Sequence, residues 1–197
     1  MKKPVVKYLV IALVLISALA VVVGLKLAWK PVIPPALQSM GGDFSLQSDK
    51  GTVSLHDFRG KVTLVYFGYT HCPDVCPMAL GVMGSAMQAL PEDEGRRVAG
   101  VFISLDPRRD TPKVLAGYAR FFDSRIVGLT GTPEVLDRIA DDWRVGYSVP
   151  DAPVDANYAV EHSTFIYLVN PDGKVAALFD EQTSPDEIAT AIRRWLD

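Results

Sequence analysis

Phe67-Gly68-Tyr69-Thr70-His71-Cys72-Pro73-Asp74-Val75-Cys76-Pro77 holds both cysteines of the chain. It stands between an apolar strand, Val62-Thr63-Leu64-Val65-Tyr66-Phe67, and a helical pattern. A strand that runs into Gly, then Cys-Pro, then a helix sets a thiol at a helix N-terminus, where partial positive charge favours thiolate over thiol. A thiolate attacks disulfides or binds metals, so the stretch points to one of two chemistries. The helix that follows carries Cys76, Leu80, Met83, Met87 and Leu90 at spacings of 4, 3, 4 and 3, which is one helical face. Cys76 is therefore expected to face inward, with Cys72 one turn earlier at the mouth. Met83 and Met87, on the same face, read as core packing rather than as thioether ligands.

Working outward, the other elements fall into an alternating order. Residues 44–47 and 52–55 are short strand candidates joined by the Gly-containing loop Asp49-Lys50-Gly51. Residues 61–67 form the central strand. Residues 98–105 are a nearly continuous apolar run, as expected of a strand buried on both faces. Thr111-Pro112, Thr132-Pro133 and Ser184-Pro185 each set a cap residue before a proline at the first helical position. Ser184-Pro185-Asp186-Glu187 is also a capping box. Residues 126–129, 164–169 and 175–179 read as strands, the last two joined through Pro171-Asp172-Gly173. The order implies an α/β domain with a mixed central sheet, helices on both faces and an N-terminal strand extension.

Composition limits the function classes. Apolar residues make up 49% and charged residues 22% of the 197, as in a globular protein. All charges before Pro31 are lysines: Lys2, Lys3, Lys7, Lys26 and Lys30. That leaves 15 basic against 23 acidic residues beyond them, a net charge of about −8, which argues against nucleic-acid binding. Residues 8–25 are an unbroken run of 18 apolar or small residues with only Ser17 polar, about the minimum for spanning a bilayer. Lys2, Lys3 and Lys7 before it predict a cytoplasmic N-terminus. Ala18-Leu19-Ala20 resembles a signal-peptide cleavage site, but the apolar run continues past it, which favours an uncleaved anchor. Residues 1–30 thus read as a cytoplasmic tail and transmembrane anchor, 31–42 as a Pro- and Gly-containing linker, and 43–197 as the exported domain. The leader lacks the Arg- and Ser-rich amphipathic character of a mitochondrial presequence, so a bacterial inner membrane with the domain in the periplasm is expected.

Two cysteines in an exported domain suggest a structural disulfide. These two are only four residues apart, so a bridge would close almost no loop and stabilise little. If both lay in one helical turn, their Cβ atoms would be about 5–6 Å apart, against the roughly 3.5–4.5 Å of a disulfide. A metal shared between two sulfurs suits that separation better. Pro73 and Pro77 can loosen the turn, so a disulfide stays open as the alternative.

The layout resembles a thioredoxin-like fold. In such proteins the residue just before the strand at 163–169 faces the cysteine pair, which singles out His162 among His56, His71 and His162 as a third ligand. His71, adjoining Cys72, and His56, in a polar loop, read as surface or supporting side chains. Two thiolates and one imidazole make a soft site that suits Cu(I) and, through the imidazole, Cu(II). Structural zinc usually takes four protein ligands and would compete only with His71.

Gly41-Gly42-Asp43-Phe44, the cysteine stretch with Tyr66 before it, Ser104-Leu105-Asp106-Pro107-Arg108-Arg109-Asp110-Thr111-Pro112 and Glu161-His162-Ser163 resemble the Sco/SenC family of membrane-anchored, thioredoxin-like copper proteins. The resemblance covers essentially the whole domain. It implies copper bound by Cys72, Cys76 and His162. It also implies a role at the dinuclear copper site of cytochrome c oxidase subunit II, by delivering copper from a periplasmic donor or by reducing that site's cysteines. Copper chaperone and thiol-disulfide oxidoreductase using the pair Cys72 and Cys76 are the two readings; a peroxidase or redox sensor is disfavoured because no separate resolving cysteine exists. Glu161, where the family often has Asp, keeps the acidic character. Asp106 to Asp110 reads either as turn and cap chemistry or as partner docking through Arg108 and Arg109. Asp74 is expected to be exposed, and Tyr158 resembles a family position near the histidine.

Overall fold

The computed structural model describes residues 8, 11–17, 31–154 and 157–196. It divides into two compact units, Met1–Val32 and Ile33–Asp197. In the first, residues 11–17 are helical. The apolar run expected to cross the membrane lies largely outside the described residues, among which no helix is long and apolar enough for a span.

The second unit is built on a five-stranded sheet of β3 (Val62–Gly68), β4 (Val98–Ser104), β5 (Ile126–Leu129), β8 (Ile166–Val169) and β9 (Val175–Phe179), in the order β5-β4-β3-β8-β9. β3, β4 and β5 are mutually parallel; β8 is antiparallel to β3 and β9 to β8. Every residue of β3 and β4 is buried, as the continuous apolar runs require of strands covered on both faces. The extension is a separate hairpin, β1 (Ser45–Ser48) with β2 (Gly51–Ser54), joined to the end of β5 by a bridge between Gln47 and Thr130.

Helices α1 (Val75–Gln88), α2 (Glu92–Gly95), α3 (Pro112–Phe122), α4 (Pro133–Trp143) and α5 (Pro185–Arg193) cover the sheet. Because side chains alternate along a strand, Tyr66 and Phe67 face opposite ways. Tyr66 stacks on Phe102, whose ring meets Tyr118 of α3 at 5.6 Å, and its hydroxyl reaches Cys76 of α1. Phe67 meets Trp143 of α4 at 5.6 Å and Tyr167 at 5.7 Å. Aromatic pairs of this kind contribute about 0.5–1.5 kcal/mol each beyond burial. Helices therefore lie on both faces. Thr111 and Ser184 cap α3 and α5 through their side chains, Ser184 in the expected capping box; Thr132 makes no side-chain cap. Segment 33–42 contacts this unit: Gly41 N–H donates to the Asp142 carbonyl, Trp143 Nε1 donates to the Gly42 carbonyl, and Ile33 and Met40 pack on the core.

Most strand ends fall within one or two residues of expectation, but the placement of His162 differs in kind. His162 does not open the strand of the central sheet, which begins at Ile166. It belongs to β7 (Glu161–His162), which pairs antiparallel with β6 (Tyr147–Ser148), Tyr147 opposite His162. Ser163 adds a further tie, its N–H donating to the Gly146 carbonyl.

Candidate metal centre

Helix α1 starts at Val75, so Cys72 is not in it. Cys72 stands just ahead of the helix, at the mouth as expected, so the single helical turn considered for the pair does not apply, and Pro73 bears on this. The residue before a proline is kept out of the α region, which holds Cys72 in the preceding turn. Helical i, i+4 spacing therefore no longer weighs against a disulfide; both cysteines are free thiols in this structure. Asp74, at the N-cap, is exposed and makes no side-chain cap bond. Cys72 supplies one instead: its Sγ accepts from the N–H of Cys76 at 3.5 Å. Burial acts against a Cys72 thiolate. The N–H groups of Cys76, Asp74 and Val75 together with the Cys76 thiol outweigh it and hold the Cys72 pKa below its ordinary value.

Cys76 is in the opposite situation. It is fully buried on the inward face of α1, as its spacing with Leu80, Met83 and Met87 predicts. Burial, with Cys72 adding to it, pushes its thiol up to about 12. Its Sγ sits over the end of β3 because Gly68 has no side chain: a Cβ there would lie 2.8 Å from that sulfur. The Tyr66 hydroxyl donates to Cys76 Sγ at 3.9 Å, and His162 Nε2 lies 3.4 Å from it. The imidazole is oriented from its other side. Ser163 offers a carbonyl 2.9 Å from Nδ1, and a carbonyl only accepts, so Nδ1 carries the proton and Nε2 presents a bare lone pair to the sulfur. Burial holds the His162 pKa below its ordinary value against the Ser163 bond, which keeps the ring neutral. Tyr66 and Tyr69 meet the ring edge-on, at 6.1 and 5.9 Å between centroids.

Beneath this site the loop after β4 forms a buried polar frame. Asp110 is fully buried and accepts from Thr70 N–H at 2.9 Å, from Thr70 Oγ1, and from Ser104 Oγ at 2.6 Å. It thus anchors the turn that carries Cys72. Asp106, also fully buried, pairs with Arg109 and accepts from the Tyr158 hydroxyl at 3.0 Å. The Arg109 guanidinium lies 3.5 Å over the Tyr158 ring and 5.7 Å from that of Tyr69.

The SCO1/SenC family model matches residues 34–197. This chain belongs to the SCO1/SenC family. It is 40% identical over 156 residues to Protein sco1 of Schizosaccharomyces pombe, covering 78% of this chain. The chain spans 59% of the length of that relative. It is similar in structure to ScoI of Bradyrhizobium japonicum with copper bound, at 36% identity and TM-score 0.71, covering 79% of this chain and 99% of that one. It is also similar to BsSco, a member of the Sco family of cytochrome c oxidase assembly proteins in which a disulfide switch was identified. There the identity is 26% and the TM-score 0.62, covering 82% and 96% of the two chains. The α/β fold is thioredoxin-like.

In this SCO1/SenC chain, Cys76 and His162, 86 residues apart in sequence, meet directly. Cys72 lies beside Cys76 at the mouth, but among the described residues no three Cys, His, Asp or Glu side chains are gathered closely enough to hold an ion as they stand. Cys76 and His162 are already in contact, and Cys72 is partly exposed beside them. His71 turns elsewhere: Nδ1 is 3.1 Å from Thr70 Oγ1 and 3.6 Å from Asp110, with half its side chain in solvent. His56 is exposed in the turn Leu55–Phe58. Docking through Arg109 does not hold, because its side chain is 5% exposed and engaged with Asp106. Arg108 is exposed and ties down the Ala152 carbonyl at 2.7 Å. Sequence reasoning missed Tyr66, Tyr69 and Asp110 as parts of the site. The alternation along β3 carried a signal for Tyr66: it shares a face with Gly68, under the helix that bears Cys76.

Proposed function

We propose that this protein is a membrane-anchored copper chaperone serving the dinuclear copper site of cytochrome c oxidase subunit II, with Cys72, Cys76 and His162 as the copper donors. The observation that carries this reading is the approach of His162 Nε2 to Cys76 Sγ at 3.4 Å, with the other ring nitrogen committed to Ser163. The donor set fits the cargo. Two sulfurs suit Cu(I), and a neutral imidazole with a free Nε2 extends the site to Cu(II). Family membership and the likeness to a copper-bound ScoI support the same choice. Cys72, at the mouth, is the donor that first meets a periplasmic copper source and first exchanges with a recipient. Cys76 and His162 retain the cargo until exchange is complete. Residues 8–25, with lysines before them, support an anchor in a bacterial inner membrane and a domain on its outer side.

The test is copper binding by the full-length chain. The expected result is about one copper per chain and thiolate-to-Cu(II) absorption, with Cu(II) binding lost in His162→Ala. Unchanged copper affinity in that variant removes His162 from the site and overturns the reading.

A second reading is favoured by the asymmetry of the two thiols, one held below and one above the ordinary range. The Cys72 thiolate attacks a target disulfide, forms a mixed disulfide and releases one target thiolate. Cys76, losing its proton, then attacks the Cys72 sulfur and releases the second. Two electrons pass to the target, and Cys72 and Cys76 end as a disulfide. This needs both cysteines and spares His162. Complementation of a strain lacking the gene by His162→Ala therefore favours the reductase over the chaperone.

A further inference from the structure

His162 meets Cys76 from a ribbon, β6 with β7, whose strands have two residues each. Even a full-length isolated hairpin is marginal in water, so a ribbon this short must be held from outside. Its own ties are few: Ser163 N–H donates to the Gly146 carbonyl at 2.9 Å, and Gly146 N–H donates to Ser163 Oγ at 3.1 Å. On the β7 side the support is buried: Tyr158 bonds Asp106 at 3.0 Å, and Val160 lies in the core. On the β6 side it comes from α4. The chain leaves that helix at Trp143, turns through Arg144 and runs back along it. Val145 N–H donates to the Ala140 carbonyl at 2.8 Å, and one step further back the Tyr147 hydroxyl donates to Asp137 Oδ1.

Tyr147 stands directly opposite His162 in the ribbon. Opposed residues of an antiparallel pair project from the same face. One face of the ribbon therefore sends out two side chains, His162 to Cys76 on α1 and Tyr147 to Asp137 on α4. These two helices cover opposite faces of the central sheet, so the ribbon spans both layers. We propose that Tyr147 and Asp137 are a positioning pair for the third copper donor: their bond holds the ribbon against α4 and so sets how tightly His162 is kept at Cys76. The acceptor is a carboxylate, which makes the bond stronger than one between neutral groups. Asp137 is exposed at the surface of α4, so the bond can be removed without opening the core.

This rests on the copper reading of His162. The experiment uses Tyr147→Phe, which keeps the ring, and Asp137→Ala, each in the full-length chain. The first readout needs no metal. Amide hydrogen exchange at Ser163, whose N–H closes the ribbon, is expected to speed up about tenfold in both variants of the reduced chain. The second is Cu(I) affinity by competition with a colorimetric chelator, expected to fall about tenfold in both. The third repeats Tyr147→Phe in a His162→Ala background, where it is expected to change Cu(I) affinity by less than about twofold, because the donor it positions is gone. A general structural defect would weaken binding in either background. Unchanged exchange at Ser163 overturns the pair. Faster exchange with wild-type copper affinity also overturns it, as does a loss of affinity that persists without His162. If wild type binds no copper, the copper reading fails, and the pair is left without a donor to position, whatever the exchange shows.

Discussion

Gly68→Ala probes how the site is held together. A Cβ at this position lies 2.8 Å from Cys76 Sγ, 3.0 Å from Tyr66 Cε1 and 3.2 Å from Phe102 Cε2. Comfortable contacts between such atoms are about 3.5–4.0 Å, so something must give by several tenths of an ångström. The two rings are fully buried and stacked on one another and have nowhere to go. The sulfur hangs on one rotatable bond, but only staggered positions are open to it on a helix, and leaving the present one takes it away from His162. Either the core strains, at about 1–3 kcal/mol, or the sulfur swings out and the 3.4 Å approach to His162 is lost. For a domain of this size 1 kcal/mol is about 2–4 °C. A melting temperature lower by roughly 3–10 °C is therefore expected in the reduced, metal-free chain. Copper affinity, measured by chelator competition, is expected to fall at least about tenfold, since a donor displaced by an ångström no longer shares the ion. A variant with wild-type melting and wild-type affinity would show that Cys76 is not fixed by the end of β3, and the contact between Cys76 and His162 would lose its physical basis.

Alkaline stability should report Cys76. Its pKa in the folded state, about 12, is above the ordinary thiol value, so the folded chain holds that proton more tightly than the unfolded chain. Its contribution is complete below pH ~9 and declines as pH rises from there toward 12, by up to about 1.4 kcal/mol per pH unit. Chemical denaturation of the reduced chain between pH 9 and 10, before the buried tyrosines add their own loss, should show this slope. Cys76→Ser should remove it, and an equal slope in that variant assigns the loss elsewhere. Arg109→Met keeps the volume but leaves the buried Asp106 carboxylate facing only Tyr158; a loss of about 3–5 kcal/mol is expected, and a loss under about 1 kcal/mol in a denaturant titration rejects the structural role of this pair.

The parts of the fold that were legible in the sequence are those written in local periodicity. Cys76, Leu80, Met83 and Met87 mark a helix face, and all four are buried on it. Thr111-Pro112 and Ser184-Pro185 mark helix starts that their side chains indeed cap. The place of His162 was not local. Spacing alone gave it no advantage over His56 or His71, and only resemblance to a fold set it against the cysteines. Its two-residue strand is too short to show alternation, which is why its pairing with Tyr147 was not anticipated. The frame under the site was hidden for another reason. Asp110 stands beside Thr111, and either can cap a helix on paper. Thr111 takes that role, so the carboxylate is free to turn inward and tie down Thr70. Arg109 looked like a surface charge because arginine usually is one. Its burial depends on Asp106 and on the ring of Tyr158, 49 residues later, and no local pattern carries that.

The protonation of Cys76 bears on which metals can be held. To serve as a ligand at pH 7 it must give up a proton bound with a pKa of about 12, at a cost on the order of 7 kcal/mol. Only an ion whose bond to sulfur outweighs that cost can close the site. Hard ions that prefer oxygen cannot, and a thiophilic ion such as Cu(I) can. Cys72 adds little to this barrier, because the start of α1 already favours its thiolate. On the copper reading, an incoming ion meets a ready sulfur first and a reluctant one second. On that reading, loading in that order discriminates at the second step, at a fully buried sulfur that lies against the Tyr66 hydroxyl and the His162 imidazole. The same order read as thiol chemistry gives an attacking sulfur outside and a resolving sulfur inside. Two pKa shifts of opposite sign, one lowered by the N–H groups at the start of α1 and one raised by burial, are thus the common starting point of the copper reading and the thiol reading.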